Sequence, residues 1–145
     1  MKTLLSSWQA WALLSAAFAA LTAIFAKIGV ENVNSDFATF VRTVVILIAL
    51  AGILAATGQW QPPGSVPSRT YVFLLLSGLA TGASWLCYFR ALKLGDAARV
   101  APIDKLSVVL VAVFGVIFLG ERLSPSNWIG VMFIGVGAVL VALRA

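Results

Sequence analysis

The chain has 145 residues, of which 61% are hydrophobic and 10% are charged, and its formal net charge is +5. Five stretches of membrane-spanning length leave almost no residues for a soluble domain, so the basic charge has no soluble face to present to nucleic acid. The absence of histidine and the presence of one cysteine exclude histidine-based zinc sites, catalytic triads with histidine, and a disulfide framework.

Each apolar stretch predicts one transmembrane helix, because a bilayer core accommodates about 20 apolar residues in helical form. Strands are not expected, since the apolar runs are continuous and lack the alternation of a membrane barrel. The sequence therefore predicts an all-α integral membrane protein whose residues 4–143 form one transmembrane domain. The five predicted helices span residues 8–27, 37–57, 71–90, 100–119 and 126–143.

Local signals mark several helix ends. Ser124 is placed as an N-cap before Pro125, which suits the first position of the last helix. Gly95 and Gly120 lie where helix-ending glycines are expected. The proline-rich connection at residues 58–70 predicts an external hinge or tie.

The N-terminal stretch loosely resembles a secretory signal, with Lys2 before an apolar run. The run continues to Lys27, as a spanning helix does, so we expect it to be retained.

The basic residues are distributed unevenly between the two membrane faces. Seven of the ten border the face opposite the N-terminus, namely Lys27, Arg42, Arg90, Lys93, Arg99, Lys105 and Arg144, and the other three are Lys2, Arg69 and Arg122. Four tryptophans, Trp8, Trp11, Trp60 and Trp128, lie near the N-terminal face. The positive-inside rule therefore predicts an outside N-terminus and a cytoplasmic C-terminus in the cell's inner membrane.

Two charges of opposite sign are predicted at matching depth within the membrane. Arg42 and Asp104 each lie roughly 6 to 8 Å inside the cytoplasmic boundary, so they are candidates to pair. With Lys105 and Arg90 they suggest a charged vestibule that receives a polar or anionic solute. The alternative is that Lys105 and Arg90 reach out to the interface while Asp104 complements the dipole of its helix.

The third predicted helix offers a second candidate surface. Ser84, Trp85 and Tyr88 are candidate solute-binding residues, and Trp85 suits either stacking on a solute or packing in the protein core. Gly78 and Gly82 form a small-xxx-small pair, which favours close helix packing. No acidic or basic residue lies near the predicted bilayer centre, so a proton relay there has no carrier.

Several motifs resemble the EamA-type domain of the drug/metabolite transporter superfamily. They are YFRALK at 88–93, AAR at 97–99, AP at 101–102 and LGERLS at 119–124. The opening WALLSA at 11–16, with Lys27 and FVRT at 40–43, is similar to the single-domain, five-helix bacterial and archaeal branch.

The resemblance implies one five-helix EamA-type repeat, which in larger relatives occurs twice in inverted orientation with the solute path between the halves. The family's small multidrug members carry an acid in their first helix. This first helix has none, so proton-coupled drug efflux is not carried over. Glu121 matches the Gly-Glu motif, and we expect it at the outer interface in a structural role.

Three function classes remain open. The first is a gradient-driven carrier of a small metabolite or amphiphilic solute, the second is a flippase for lipid-linked intermediates, and the third is a non-transporting accessory subunit. We expect no enzyme activity, catalytic residue, metal or cofactor, since no nucleophile and base set is recognisable. The expected partners are the lipid bilayer, a small solute, and either a second copy in a homodimer or another small membrane subunit.

Overall fold

The computed structural model describes residues 7–143, and this part of the chain is helical with no strand. By length and composition five segments can span a membrane, the fourth of them being Ala97–Leu119. This confirms the predicted all-α fold with five spans. The helices are α1 (Trp8–Val30), α2 (Ser35–Thr57), α3 (Ser68–Leu94), α4 (Ala97–Asp104), α5 (Ser107–Leu119) and α6 (Pro125–Ala142), with a 3₁₀ turn at Pro63–Ser65.

Some of the sequence-based expectations fall on residues beyond this range. Lys2 and Arg144, which entered the charge count, lie outside the described residues, as do residues 4–6 of the predicted domain.

Capping side chains and glycines define both ends of α2. The side-chain oxygen of Asn34 accepts hydrogen bonds from the backbone N–H groups of Asp36 and Phe37, which would otherwise lack partners. At the other end Gly58 takes a left-handed conformation with φ of 64°, and its N–H donates to the carbonyl of Leu54. The N-cap makes α2 begin two residues earlier than the sequence predicted.

The fourth span is not the single helix that the sequence predicted. It begins at Ala97, and it is interrupted at Lys105 and Leu106, where the chain tightens into a 3₁₀-like turn. The N–H of Leu106 donates to the carbonyl of Ile103, and the N–H of Val108 donates to that of Lys105. Each bond reaches back three residues instead of four, which is the 3₁₀ pattern.

The connection between α5 and α6 follows the predicted chemistry. Gly120 ends α5 with φ of 68°, and Ser124 caps α6 by accepting a hydrogen bond from the N–H of Asn127. Pro125 occupies the first turn of α6, where its missing N–H removes no helical bond. Gly95 follows the last residue of α3 as predicted, but within residues 7–143 only Gly58 and Gly120 have positive φ.

The chain divides into two units. One comprises the described residues of Met1–Lys27 and Leu94–Ala145, and in it α6 packs against both α4 and α5. At Gly135 a methyl group would lie 3.4 Å from Cγ2 of Val109, an ordinary van der Waals contact. The other unit is Ile28–Lys93, which holds the α2–α3 hairpin.

Most large apolar side chains are exposed along every span, Phe18, Leu47, Leu75, Phe118 and Phe133 among them. Such a surface would aggregate in water, whereas in a bilayer it contacts lipid chains. The buried apolar set is small by comparison. Its described members are Ala23, Ala26, Val30, Phe89, Leu92 and Ala138.

Candidate functional site

The candidate site lies within the α2–α3 hairpin and centres on Arg42. The guanidinium carbon of Arg42 lies 4.1 Å from the ring centroid of Trp85 and 5.6 Å from that of Phe89. Trp85 and Phe89 are four residues apart on α3, so they share one helix face. Arg42 is partly buried and Phe89 is only 3% exposed. We call Arg42, Trp85 and Phe89 the arginine–aromatic cluster.

Arg42 lies further along its helix than the sequence predicted. Because α2 begins at Ser35, Arg42 is seven residues into the helix, or about 10 Å along its axis. A charge at the centre of a span costs about 2.5–3.5 kcal/mol on insertion scales, which is an upper value for Arg42, since it lies nearer the start of α2 than its centre. A cation–π contact returns about 0.5–2 kcal/mol, depending on desolvation. The aromatic contacts therefore offset part of the cost of holding the guanidinium there.

A second set of contacts joins the start of α2 to the end of α3, at the end of the hairpin away from its connecting loop. Nε and Nη2 of Arg90 donate to the two carboxylate oxygens of Asp36 at 2.9 and 2.7 Å. Nζ of Lys93 donates to the backbone carbonyl of Val33. With the arginine–aromatic cluster, these contacts run in opposite order along the two helices, which sets their antiparallel register.

Two threonines next to Arg42 on α2 use their hydroxyl groups within their own helix. The hydroxyl of Thr39 donates to the carbonyl of Ser35 at 2.9 Å, and that of Thr43 donates to the carbonyl of Thr39 at 2.8 Å. These bonds let polar side chains sit in an apolar helix without an interhelical partner.

Three of the four residues of the predicted charged vestibule take part in ion pairs. Asp104 pairs with its neighbour Lys105 at 3.1 Å, and Arg90 pairs with Asp36. Within residues 28–93, no carboxylate lies within ion-pair distance of Arg42. The pairing of Arg42 with Asp104 stays a prediction.

The remaining predicted binding residues lie on α3. Trp85 stacks on Arg42, so its ring contacts a cation of the protein itself. Tyr88 is partly buried and lies close enough to Arg42 for an electrostatic interaction, whereas Ser84 is exposed. Among residues 7–143, no group of three cysteine, histidine or acidic side chains is placed to hold a metal ion.

The predicted packing glycines face open space. A methyl group at Gly78 or Gly82 would meet no described atom within 4 Å. Packing through these glycines stays a prediction.

Glu121 has a defined contact in the unit that holds α5. Its Oε2 atom would lie 2.6 Å from a methyl group placed on the buried Gly115. The carbonyl of Gly115 accepts hydrogen bonds from the N–H groups of Gly120 and Glu121. The Gly-Glu pair therefore folds the chain back over the end of α5, which agrees with the structural role expected for Glu121.

Sequence reasoning missed Asp36, Phe89 and the carbonyl of Val33 as parts of this site. Asp36 was detectable, since its charge is opposite to that of Arg90 and the two residues lie near the same end of neighbouring helices. Phe89 was detectable from its four-residue spacing to Trp85. The carbonyl of Val33 could not be identified from the sequence, because every residue has a backbone carbonyl.

The EamA-like transporter family model matches residues 6–143. The chain belongs to the EamA-like transporter family. It is therefore a multi-pass membrane transporter by family, and the resemblance noted in the motifs is confirmed.

Three relatives support membership of this family, one matched over nearly its whole length and two over about a third of theirs. An uncharacterized transporter encoded in the cobO 3' region of Sinorhizobium sp. is 72% identical over 137 residues, which cover 94% of this chain and 97% of that protein. The uncharacterized transporter YwfM of Bacillus subtilis is 24% identical over 69% of this chain but only 35% of its own length. A transporter of Clostridium kluyveri is 26% identical over 65% and 30%, respectively. No solved structure matches the chain.

Proposed function

We propose that this EamA-like transporter carries a small metabolite or an amphiphilic solute across the inner membrane, driven by a solute or ion gradient. Membership of a transporter family and five spans support transport. The 145-residue sequence contains no glycine-rich phosphate loop ending in Lys-Ser or Lys-Thr, which favours a gradient over nucleotide hydrolysis as the energy source.

The observation that carries this proposal is the position of Arg42. Ionisable residues inside a span are costly and usually mark a substrate or ion path. Arg42 lies within α2 and its contacts in the hairpin are with aromatic rings, not with a carboxylate, so its position favours a function that needs a charge within the span.

We also propose that two copies pair to enclose the path. The Bacillus and Clostridium relatives are matched over only about a third of their length, which agrees with a chain that supplies one part of a larger assembly. Gly78 and Gly82 provide a face that a second copy can approach closely. The molar mass of the purified protein in detergent, by light scattering, tests the pairing. A mass of one copy would contradict it.

Transport is tested in liposomes that contain the purified protein. The liposomes are loaded with a soluble metabolite extract, and a proton, sodium or electrical gradient is imposed in turn. Mass spectrometry of the external medium identifies any solute that leaves faster than from protein-free liposomes. We expect at least one such solute, and its rate should fall about tenfold in Arg42→Gln, the size of a lost charge-assisted hydrogen bond.

Arg69→Gln is the matched control. Arg69 also lies over an aromatic ring on α3, 5.7 Å from the centroid of Phe73, but in the first turn of that helix. Its rate should stay near that of the unmodified protein. Release that never exceeds the protein-free rate under any gradient would contradict transport and would favour an accessory role.

A further inference from the structure

Among the basic residues in 7–143, Arg42 and Arg69 lie over aromatic rings, and of these two only Arg42 lies away from a helix end. Five basic side chains near helix ends each already interact with an oxygen of the protein. They are Lys27 with the carbonyl of Gly95, Arg90 with Asp36, Lys93 with the carbonyl of Val33, Arg99 with Asp96, and Lys105 with Asp104. Arg42 differs, because its contacts in the hairpin are with the rings of Trp85 and Phe89.

The guanidinium carbon of Arg42 lies 4.1 Å from the centroid of Trp85, and within residues 28–93 its N–H groups donate to no oxygen of the protein. A guanidinium that lies over a ring contacts it through its face, whereas its N–H donors point outward in its own plane. Two parallel N–H groups match the two oxygens of a carboxylate or phosphate. We infer that Arg42 recognises an oxyanion on the carried molecule, either a carboxylate or a phosphate. This inference rests on the proposed transport function.

The surroundings of Arg42 favour an oxyanion with an apolar part attached. The hydroxyl groups of Thr39 and Thr43 donate to backbone carbonyls of α2, and Tyr88 lies close enough to Arg42 for an electrostatic interaction. Trp85 is partly exposed and places aromatic surface beside the charge, whereas Phe89 is buried behind it. This combination suits an organic anion or the phosphate of a lipid head group, and the same Arg42 chemistry serves both sources.

Binding is tested by fluorescence of Trp85 in nanodiscs of neutral phosphatidylcholine. Citrate and inorganic phosphate are titrated at constant ionic strength, and Trp85→Phe identifies the share of the signal that Trp85 contributes among the five tryptophans. We expect a saturable change in the Trp85 signal. Arg42→Gln should weaken apparent affinity about tenfold or more, since a hydrogen bond to a charged group is lost.

Two further variants separate geometry from charge. Arg42→Lys keeps the charge but loses the planar fork, so we expect it to bind several-fold more weakly than the unmodified protein. Arg69→Gln removes an aromatic-stacked arginine in the first turn of α3 and should leave affinity unchanged.

A second arm of the experiment distinguishes the two sources of the oxyanion. In nanodiscs that also contain phosphatidylglycerol, a lipid ligand should occupy the site, reduce the response to soluble anions, and remain bound in native mass spectrometry unless Arg42 is changed. A response to citrate or phosphate that persists in these nanodiscs indicates a soluble solute.

The inference is overturned if Arg42→Gln titrates like the unmodified protein, or if neither soluble anions nor phosphatidylglycerol alter the Trp85 signal. Flux that survives in Arg42→Gln would overturn this site while leaving transport intact. Arg42-dependent binding with no flux would contradict transport while leaving the site intact.

Discussion

Arg42 and Arg90 belong to the same helical hairpin, yet they take different partners. Arg90 reaches Asp36 in the first turn of α2 and makes two hydrogen bonds to its carboxylate. Arg42 lies deeper and stacks on Trp85. Because an exposed ion pair near a helix end mainly positions side chains, we assign solute chemistry to the deeper arginine.

The sequence located Arg42 but not the partner of Arg90. A charge within an apolar run is visible from the sequence, since it interrupts the hydrophobic pattern. Asp36 lies one residue before the predicted second helix, which was taken to begin at residue 37, so it was assigned to a loop. The N-cap at Asn34 places Asp36 inside α2 and within reach of Arg90.

Gly120→Ala should destabilise the protein by about 1–2 kcal/mol. Gly120 holds φ of 68°, and a side chain with a Cβ is strained in the left-handed conformation. The change should lower the apparent melting temperature in detergent, measured by a thermal shift assay that follows aggregation.

Gly130→Ala is the control for this prediction. Gly130 lies within α6, and a methyl group there would meet no described atom within 4 Å. Alanine is the better helix former, so this variant should be neutral or more stable by up to about 1 kcal/mol. Equal melting temperatures for the two variants would contradict a conformational requirement at Gly120.

At the scale of the element, the fourth span is the helix that departs furthest from its predicted form. Pro102 lies inside α4 and has no N–H, so the carbonyl of Ala98 lacks its usual helical donor. Three to four residues later the chain winds tightly at Lys105 and Leu106 before α5 begins. A helix that starts at residue 100, as the sequence predicts, would have Pro102 in its first turn, whereas the structure starts α4 at Ala97 and places Pro102 in its interior.

Pro102→Ala should slow hydrogen exchange in α4. The substitution restores an N–H that can donate to Ala98, and a proline in a helix interior costs about 3 kcal/mol relative to alanine. We expect the exchange rate of the amides around residues 98–106 to fall at least about tenfold. Hydrogen–deuterium exchange with mass spectrometry in detergent measures this rate.

Pro125→Ala provides the comparison, because Pro125 lies in the first turn of α6 where an N–H makes no helical bond. Its exchange pattern should match that of the unmodified protein. If Pro102→Ala also left α4 unchanged, Pro102 would not be the cause of its local weakness.

At the scale of the whole molecule, an odd number of spans predicts termini on opposite faces. The distribution of basic residues favours a cytoplasmic C-terminus, and this orientation stays a prediction. Lys27 and Lys93 both lie in the last turns of their helices, where their ammonium groups complement the helix dipole at either face.

Cysteine labelling tests this orientation in a Cys87→Ala background. Asn32 and Gln61 are exposed residues in the connections at opposite ends of α2. We expect an impermeant maleimide to label Gln61→Cys in intact cells and Asn32→Cys only after permeabilisation. Both variants should label fully in permeabilised cells, which controls for reactivity.

The two possible departures from this pattern have different meanings. Equal labelling of both positions in intact cells would contradict a single orientation and would favour an antiparallel pair. Labelling of Asn32→Cys alone would reverse the assigned topology and place the arginine–aromatic cluster near the outer face.

The sequence by itself determined the membrane location, the five spans and the family, because the length of an apolar run and a motif such as LGERLS are local properties of the chain. Only the tertiary structure decided that Arg42 stacks on Trp85 and that Arg90 pairs with Asp36. These contacts depend on the rotation and register of neighbouring helices. A helix that is apolar on nearly all sides has no hydrophobic periodicity from which its rotation or its register could be predicted.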